Sequence, residues 1–309
     1  MENIVQRVDE IRGNTILILG YGKEGESVHR YIRNRYPKAL ISIADKKSIT
    51  PLFPVKHMYL GDGWVSHLNE YETVVRSPGA PDTIPELVSY KNTGGWITSA
   101  TNIFFSRTHS CVIGVTGTKG KSTTTSLVAH LLSQKYSDVR VIGNIGKPVL
   151  DYLEGETDAT IYVFELSSHQ LSDVRFSPHI AIILPIVSEH LDYYGSFENY
   201  VKAKSRIVLF QTKKDSVVYN EQNKVVKEVA LRSKAQRVPY SFSEGMTFTE
   251  TSLIGNKENI LAAFACCALF SLSVADMEKG LETFVPLPHR LEFVGTYNGI
   301  RFYNDSLAT

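Results

Sequence analysis

Residues 111–132 constrain the fold more than any other stretch of this sequence. They read "CVIGVTGTKGKSTTTSLVAHLL": five apolar or small residues, a glycine-rich turn, then a helical pattern. In that pattern Leu127, Val128, Leu131 and Leu132 fall on one helical face. A strand that runs through a glycine-rich turn straight into a helix is the basic step of an α/β fold with a parallel sheet. The turn also ends like a phosphate-binding loop. The common form, G-x-x-x-x-G-K-[S/T], needs glycine where this chain has Val115. Gly117 and Gly120 still allow close backbone approach, Lys121 can reach terminal phosphates, and the Ser122 hydroxyl can ligate Mg²⁺. The plainer reading is a helix N-cap of serine and threonine, and the strand–turn–helix context argues against it.

A second unit of this kind opens the chain. "TILIL" at 15–19 leads into Gly20-Tyr21-Gly22-Lys23-Glu24-Gly25, a helical pattern through about Asn34, and a strand, "LISIA", ending at Asp45. Taken literally, G-x-G-x-x-G with a later acid predicts a dinucleotide, with Asp45 on the ribose. Lys23 and Glu24 are bulky and charged for such a turn, and suit the pyrophosphate of a different nucleotide as well. "ETVVRS" is the next expected strand, and Pro78-Gly79 and Pro81 force a loop after it. Residues 96–105 are expected to pass through a short strand and a turn to a boundary near 106–110. Beyond it, "ATIYVFEL", "HIAIILPI" and "DSVVYN" read as buried strands, residues 261–272 as an apolar helix, and Tyr297-Asn298-Gly299 as a hairpin turn. The expected class is therefore α/β: a Rossmann-like N-terminal domain (1–108), then a P-loop-type ATPase domain (109–288) with a mainly parallel central sheet covered on both faces. Residues 289–309 remain as a linker.

Composition removes other classes. The 309 residues carry a net charge of +1, so no strong field invites nucleic acid or a membrane surface. An odd count of three cysteines, two of them adjacent (Cys266, Cys267), argues against a disulfide framework and for a reducing, cytoplasmic setting. The polar opening "MENIVQRVDEIRGN" has no apolar signal core, and no apolar run approaches the ~20 residues that span a bilayer.

Three further places carry chemistry. Glu165, in "FELSSHQL", ends a buried strand, where parallel sheets place ligands and where a carboxylate suits Mg²⁺. His190, in "SEHLD", follows another buried strand. Lys202, Lys204 and Arg206 share a helix, and by composition alone they read as a solvated basic face.

Taken together, these blocks resemble the Mur ligase family across essentially the whole chain. The matching stretches are the loop without glycine at Val115, "GNIG" at 143–146, "ELSSHQL", "SEHLD", "YVKAK", "NKENILAA" and "LPHRLEFV…NGIRFYNDS", in the family's order. The N-terminal glycine turn with Ser77-Pro78-Gly79 favours the branch that adds D-glutamate to UDP-N-acetylmuramoyl-L-alanine. The resemblance implies ATP-dependent amide synthesis in the making of peptidoglycan precursors. The substrate carboxylate becomes an acyl phosphate, which the amine of D-glutamate then attacks. It implies ATP on Gly117, Thr118, Lys119, Gly120, Lys121, Ser122 and Thr123. Asn256 and Asn259 would lie on the adenine side, with Arg290 and Asp305 also on ATP. Two Mg²⁺ ions are implied, one on Ser122 and Glu165, the other on His190 and a carbamylated Lys204, with Lys202 and Arg206 helping to lower its pKa. Lys121, Lys204, His190 and Glu165 would form the catalytic set. Lys23, Glu24, Asp45, Lys46, Ser77, Pro78, Gly79 and Asn144 would contact the UDP-substrate.

Two departures from the family pattern bear on this reading. "DSLAT" places Leu307 where the family carries lysine. The chain also stops where the family's third domain begins, so the D-glutamate site is expected to lie mostly outside it. The expectation is a monomer that folds, binds no nucleic acid or membrane, and does not form the amide bond alone, with residues 289–309 poorly packed. Competing readings are another Mur or folylpolyglutamate-type ligase, a nucleotide-binding module without turnover, and an NAD-dependent oxidoreductase.

Overall fold

The computed structural model describes residues 10–144, 146–242, 257–289, 292–304 and 306. By internal packing the chain divides into two units. One comprises residues up to His109 together with Lys147–Glu156 and His169–Phe176; the other comprises Ser110–Gly146, Thr157–Ser168 and the chain from Ser177 on.

In the first unit, elements alternate in the order β1 (Thr15–Leu19), α1 (Lys23–Arg35), β2 (Leu40–Asp45), β3 (Met58–Leu60), β4 (Thr73–Arg76), α2 (Pro85–Asn92), β5 (Ile97–Thr98) and α3 (Ala100–Arg107). The sheet has the order β3-β2-β1-β4-β5, with every pairing parallel. β1 is central, and Ile16 to Leu19 are fully buried, as an apolar run without alternation requires. The chain leaves β1 toward β2 and returns through β4 on the other side, so strand order reverses between β1 and β4. Ligands of open α/β sheets bind outside the strand ends at such a reversal. The turn after β1 and the Ser77–Gly79 loop after β4 both lie there.

The second unit holds β6 (Cys111–Thr116), α4 (Lys121–Ser133), β7 (Val139–Gly143), β8 (Ile161–Glu165), α5 (Ser168–Leu171), β9 (Ile180–Ile183), α6 (Leu191–Tyr194) and α7 (Phe197–Leu209). It continues through β10 (Ser216–Asn220), α8 (Lys224–Ala230), β11 (Gln236–Tyr240), α9 (Lys257–Ala268), α10 (Val274–Thr283) and the strands β12 (Glu292–Tyr297) and β13 (Ile300–Asn304). Six parallel strands order as β11-β10-β9-β6-β8-β7. α4 and α9 pack their apolar faces on this sheet; Leu127, Val128, Leu131 and Leu132 are all buried there with Ile260, Ala263 and Cys267. β12 and β13 form the antiparallel hairpin expected around Asn298-Gly299.

Three expectations change. Residues 96–105 do not end in a turn: Ser99 accepts a hydrogen bond from the Asn102 amide and caps helix α3. The apolar helix expected at 261–272 runs instead from Lys257 to Ala268, starting in polar residues. The strands β3, β7 and β11 were not expected, and all three are sheet edges. An edge strand is half-exposed, so it lacks a continuous apolar run. β7 carries Arg140, and β11 carries Pro239, which an edge tolerates.

Candidate functional site

Two of the described helices, α1 and α4, start at glycine, one in each crevice. The helices α3, α7, α8 and α10 begin with Ser99, Ser196, Asn223 and Ser273, whose side chains accept the expected capping bond. α1 and α4 begin with Gly22 and Gly120 and have no side-chain cap. A helix N-terminus carries partial positive charge and orphan amides, which attract phosphate where no side chain covers them. The serine–threonine cap reading of "KGKST" is thereby set aside, because the N-cap is Gly120.

In the first unit, Ser77 ties the two loops of the crevice together by donating its hydroxyl to the Gly20 carbonyl at 2.8 Å. Gly25 is required by close packing, since a β-carbon there would collide with the Gly20 carbonyl oxygen. Asp45 accepts the Tyr21 amide at 2.7 Å and the Lys47 amide at 2.8 Å, so its carboxylate shapes the turn itself. Lys23 and Lys46 are exposed, and the Lys46 ammonium stands 5.8 Å from the Trp64 ring centroid. Pro78 is half-buried and Gly79 exposed.

Glu24 is the unexpected group in this turn. Its Oε1 is buried without a hydrogen-bond partner among the described residues. Burial lifts its carboxyl to about 7, against the pull of the Arg76 guanidinium. Near neutrality it therefore exists partly as an acid O–H, which can donate to a phosphate oxygen where a carboxylate would repel it. Arg76, only 2% exposed at the end of β4, is already spoken for. It donates to Asp173 at 2.8 and 3.1 Å, to the Ser172 hydroxyl at 3.1 Å and to the Ala80 carbonyl at 2.6 Å, closing the Ser77–Gly79 loop.

In the second unit the reversal of strand order lies between β6 and β9. The Gly117–Thr123 loop follows β6, and the Leu184–His190 segment follows β9. Thr118 stitches the two: its amide donates to the Pro185 carbonyl at 2.9 Å, and its hydroxyl exchanges bonds with the Val187 backbone at 2.9 and 3.0 Å. Gly120 is left-handed (φ 82°), and a β-carbon there would strike the Asn259 side-chain oxygen. The adenine-side residue expected at Asn259 thus lies against the phosphate loop. Lys119 is exposed, while Ser122 is buried in the first turn of α4.

Glu165 pairs with Val115 on one side and Gly143 on the other, so it stands one strand from the loop. It is 2% exposed, and its Oε2 has no hydrogen-bond partner among the described residues. A buried carboxylate oxygen left without a donor fits a cation ligand. Asn144 follows Gly143 at the same sheet edge and is exposed. His190 adopts a left-handed backbone (φ 53°) at the start of α6, with its Nε2 3.7 Å from the Glu189 carboxylate.

Lys204 departs furthest from the composition reading. It is 1% exposed, and its Nζ donates to the Gly117 carbonyl at 2.7 Å. Lys121 donates to the Thr118 carbonyl at 2.7 Å in the same loop. Burial, and then the nearby Lys121 cation, push the Lys204 amine well below its usual range, and Glu189 and Glu165 only partly oppose this. The expectation that Lys202 and Arg206 lower it is corrected: the cation responsible is Lys121, and Lys202 is exposed. Asn256, Arg290, Asp305 and Leu307 lie outside the described residues.

Two residues of these sites escaped sequence reasoning. Tyr200 is buried one helical turn before Lys204; its hydroxyl lies 3.2 Å from the Thr118 hydroxyl and donates to Glu189 at 3.4 Å. Its place four residues before Lys204 was the available signal. Arg76 was signalled by a lone charge closing an apolar strand, "TVVR". Among the described residues no group of three or more His, Cys, Asp or Glu gathers as a preformed metal cage. Mg²⁺ that is held by one or two protein ligands plus phosphate oxygens needs no such cage. No described helix is long and apolar enough to cross a membrane.

Comparisons with known proteins bear on the family and the fold. Residues 115–261 match the model of the Mur ligase middle domain. The chain is 32% identical to the UDP-N-acetylmuramoylalanine–D-glutamate ligase of Ligilactobacillus salivarius, over 99% of this chain and 73% of that protein. It is 33% identical to the same-named ligase of Pediococcus pentosaceus, with the same coverage. Among solved structures it resembles a UDP-N-acetylmuramate:L-alanyl-γ-D-glutamyl-meso-diaminopimelate ligase from Neisseria meningitides, with TM-score 0.57 at 15% identity over 89% of this chain and 99% of that one. It also resembles the UDP-N-acetylmuramate-alanine ligase MurC of Thermotoga maritima, with TM-score 0.52 at 18% identity over 94% of this chain and 74% of that one. The structural neighbours bear on the fold, and the curated relatives bear on the branch: the chain belongs to the UDP-N-acetylmuramoylalanine–D-glutamate ligase family of Mur ligases.

Proposed function

We propose that the protein catalyses the ATP-dependent joining of D-glutamate to UDP-N-acetylmuramoyl-L-alanine, a cytoplasmic step in building peptidoglycan. The observation that carries this reading is the crevice at β6: a helix starting at glycine after the central strand, a buried Glu165 oxygen without a donor among the described residues, and a buried lysine on the loop's own backbone. The ATP phosphates are assigned to Gly117–Thr123, and the adenine side to Asn259. The uridine diphosphate is assigned to the first unit's crevice, with Lys23, Glu24, Asp45, Lys46 and Ser77–Gly79. Asn144 is assigned to the substrate, and D-glutamate to none of these residues.

The residues fit Mg²⁺. Ser122 and Glu165 would hold one ion, His190 and a carbamylated Lys204 a second. Bound there, Mg²⁺ would neutralise charge on the phosphate oxygens, the main need of phosphoryl transfer. Amide formation requires the substrate carboxylate to be activated. Its oxygen bonds to the terminal phosphorus as ADP leaves; the amine then bonds to the carbonyl carbon, phosphate departs, and the amine loses a proton. The chain's part in this is positioning: the Lys121 ammonium balances phosphate charge, and the turn of α4 orients the phosphates. Lys204 must be neutral to take up CO₂, forming an N–C bond and releasing a proton. Burial beside Lys121 favours the neutral amine, and the resulting carbamate would pair with Lys121.

Calorimetry with ATP·Mg²⁺ and, separately, with UDP-N-acetylmuramoyl-L-alanine tests the assignment. Both should bind. If only a tripeptide-bearing or folate substrate bound, the D-glutamate branch would be the wrong reading.

A further inference from the structure

The glycine-rich turn of the first unit carries an aromatic residue, Tyr21, whose side chain none of the roles above uses. It is buried, and its hydroxyl makes two contacts. The Leu52 amide donates to it at 3.0 Å, and the His29 Nδ1 lies 2.7 Å away. His29 is itself fully buried on α1, and Phe53 packs edge-on against its ring at 5.3 Å. Arg33, one turn further along α1, donates to the Pro54 carbonyl at 2.8 Å.

The contacts to Leu52, Phe53 and Pro54 fall on the loop that leaves the C-terminal end of β2. Its residues Lys46, Lys47, Ser48, Thr50, Leu52 and Pro54 are exposed, and the alternating Ile49, Pro51, Phe53 and Val55 are half-buried, so no loop residue from 46 to 55 is fully buried. Partial apolar packing is joined by polar ties, of which the Tyr21 hydroxyl is the one that reaches the loop from the turn. In doubly wound folds the nucleoside end of a bound nucleotide lies over the end of β2, beside the diphosphate turn. A loop fastened there forms the side wall of that end of the pocket. One residue therefore sets the backbone of the turn, through its amide on Asp45, and the wall, through its hydroxyl.

We propose that Tyr21 is a positioning residue for the nucleoside end of the UDP-substrate: its hydroxyl, seated against His29, fixes the 46–54 loop as the wall beside the glycine-rich turn. This rests on the assignment of the uridine diphosphate to the first unit.

The test is calorimetry of the full chain with UDP-N-acetylmuramoyl-L-alanine, with UDP alone, and with ATP·Mg²⁺. Tyr21→Phe removes the hydroxyl and keeps the ring. Its control is Tyr90→Phe, which removes another buried hydroxyl of the same unit, one that donates to the Tyr71 carbonyl at 2.8 Å away from the 46–54 loop. Loss of one ordering hydrogen bond should weaken both UDP ligands about fivefold in Tyr21→Phe, and leave ATP unchanged. Tyr90→Phe should lose similar stability and no affinity. Equal weakening in both variants, or none in Tyr21→Phe while the wild type binds, overturns the proposal. If the wild type itself failed to bind UDP ligands, the underlying assignment would fall instead. Should Tyr21→Phe not fold, wild-type hydrogen exchange decides: saturating ligand must slow exchange at the Leu52 amide relative to Gly95, whose amide bonds the Tyr90 carbonyl at 2.9 Å. Equal exchange at Leu52 with and without ligand also overturns it.

Discussion

Acid should unfold the first unit through His29. This imidazole is fully buried, and burial, followed by the Arg33 cation, lowers its pKa from 6.5 to about 4. A folded pKa below the unfolded one means that the folded state favours the neutral ring. The associated stability is present above pH 6.5 and is lost as pH falls toward 4. A difference of about 2.5 pH units at 1.36 kcal/mol each gives about 3 kcal/mol in total, of which about 2 kcal/mol would be gone by pH 4.5. The only two tryptophans of the chain, Trp64 and Trp96, both lie in this unit, so their fluorescence reports its unfolding alone. Urea unfolding of the wild type and of His29→Gln, each at pH 7 and pH 4.5, isolates the effect, because carboxylates common to both proteins cancel. The wild type should be the more stable at pH 7, and its advantage should shrink by about 2 kcal/mol at pH 4.5. A difference between the two proteins that stays constant within about 0.5 kcal/mol would show that His29 is not held neutral, and would refute the reasoning.

The remaining expectations concern ligands. Lys121→Ala should weaken ATP·Mg²⁺ binding by about tenfold to a hundredfold, the worth of a charged hydrogen bond, and leave UDP-N-acetylmuramoyl-L-alanine affinity within about twofold; calorimetry that finds both affinities lost in a folded variant contradicts separate sites. Lys204 should gain the mass of one CO₂ in bicarbonate above neutral pH, and less so in Lys121→Ala, where the neighbouring cation that disfavours its protonation is gone. An unmodified Lys204 at saturating bicarbonate rules this out. Glu24 should make UDP-substrate affinity fall about eightfold from pH 6.5 to 8, as the acid form with its pKa near 7 disappears, whereas Glu24→Gln should be flat over that range; parallel pH profiles would dismiss the protonated-acid role.

Central strands and glycine turns were legible in the sequence because they obey one-dimensional rules. β1, β6, β8 and β9 are buried on both faces and read as unbroken apolar runs, and the two glycine turns follow β1 and β6 directly. The edge strands β3, β7 and β11 were not legible, since half of each faces solvent and pairing alone defines it. The same division runs through the sites. Glu165 was visible because it closes an apolar run. Lys204 was misread by composition, because its neighbours Lys202 and Arg206 are basic; helix phase places Lys204 on the buried side with Tyr200, and only packing reveals that. Arg76 needed Asp173, ninety-seven residues away, to explain a buried guanidinium.

The two crevices use the same backbone device with different electrostatics. In each, a helix starts at glycine with no side-chain cap among the described residues, which costs only roughly a few tenths of a kcal/mol relative to serine or asparagine. α2 and α6, which begin with Ile84 and His190, also lack a side-chain cap, so it is glycine at the N-cap that α1 and α4 share among the described helices. In the first unit Arg76 is paired with Asp173, Asp45 is held by two amides and Glu24 is kept partly protonated, while Lys23 and Lys46 stand exposed. In the second unit Lys121 and Lys204 donate to carbonyls of one loop, and Glu165 keeps an oxygen without a donor. Under the proposed function, phosphate and cation would meet these groups there, which places the electrostatic work where the phosphoryl group would be transferred.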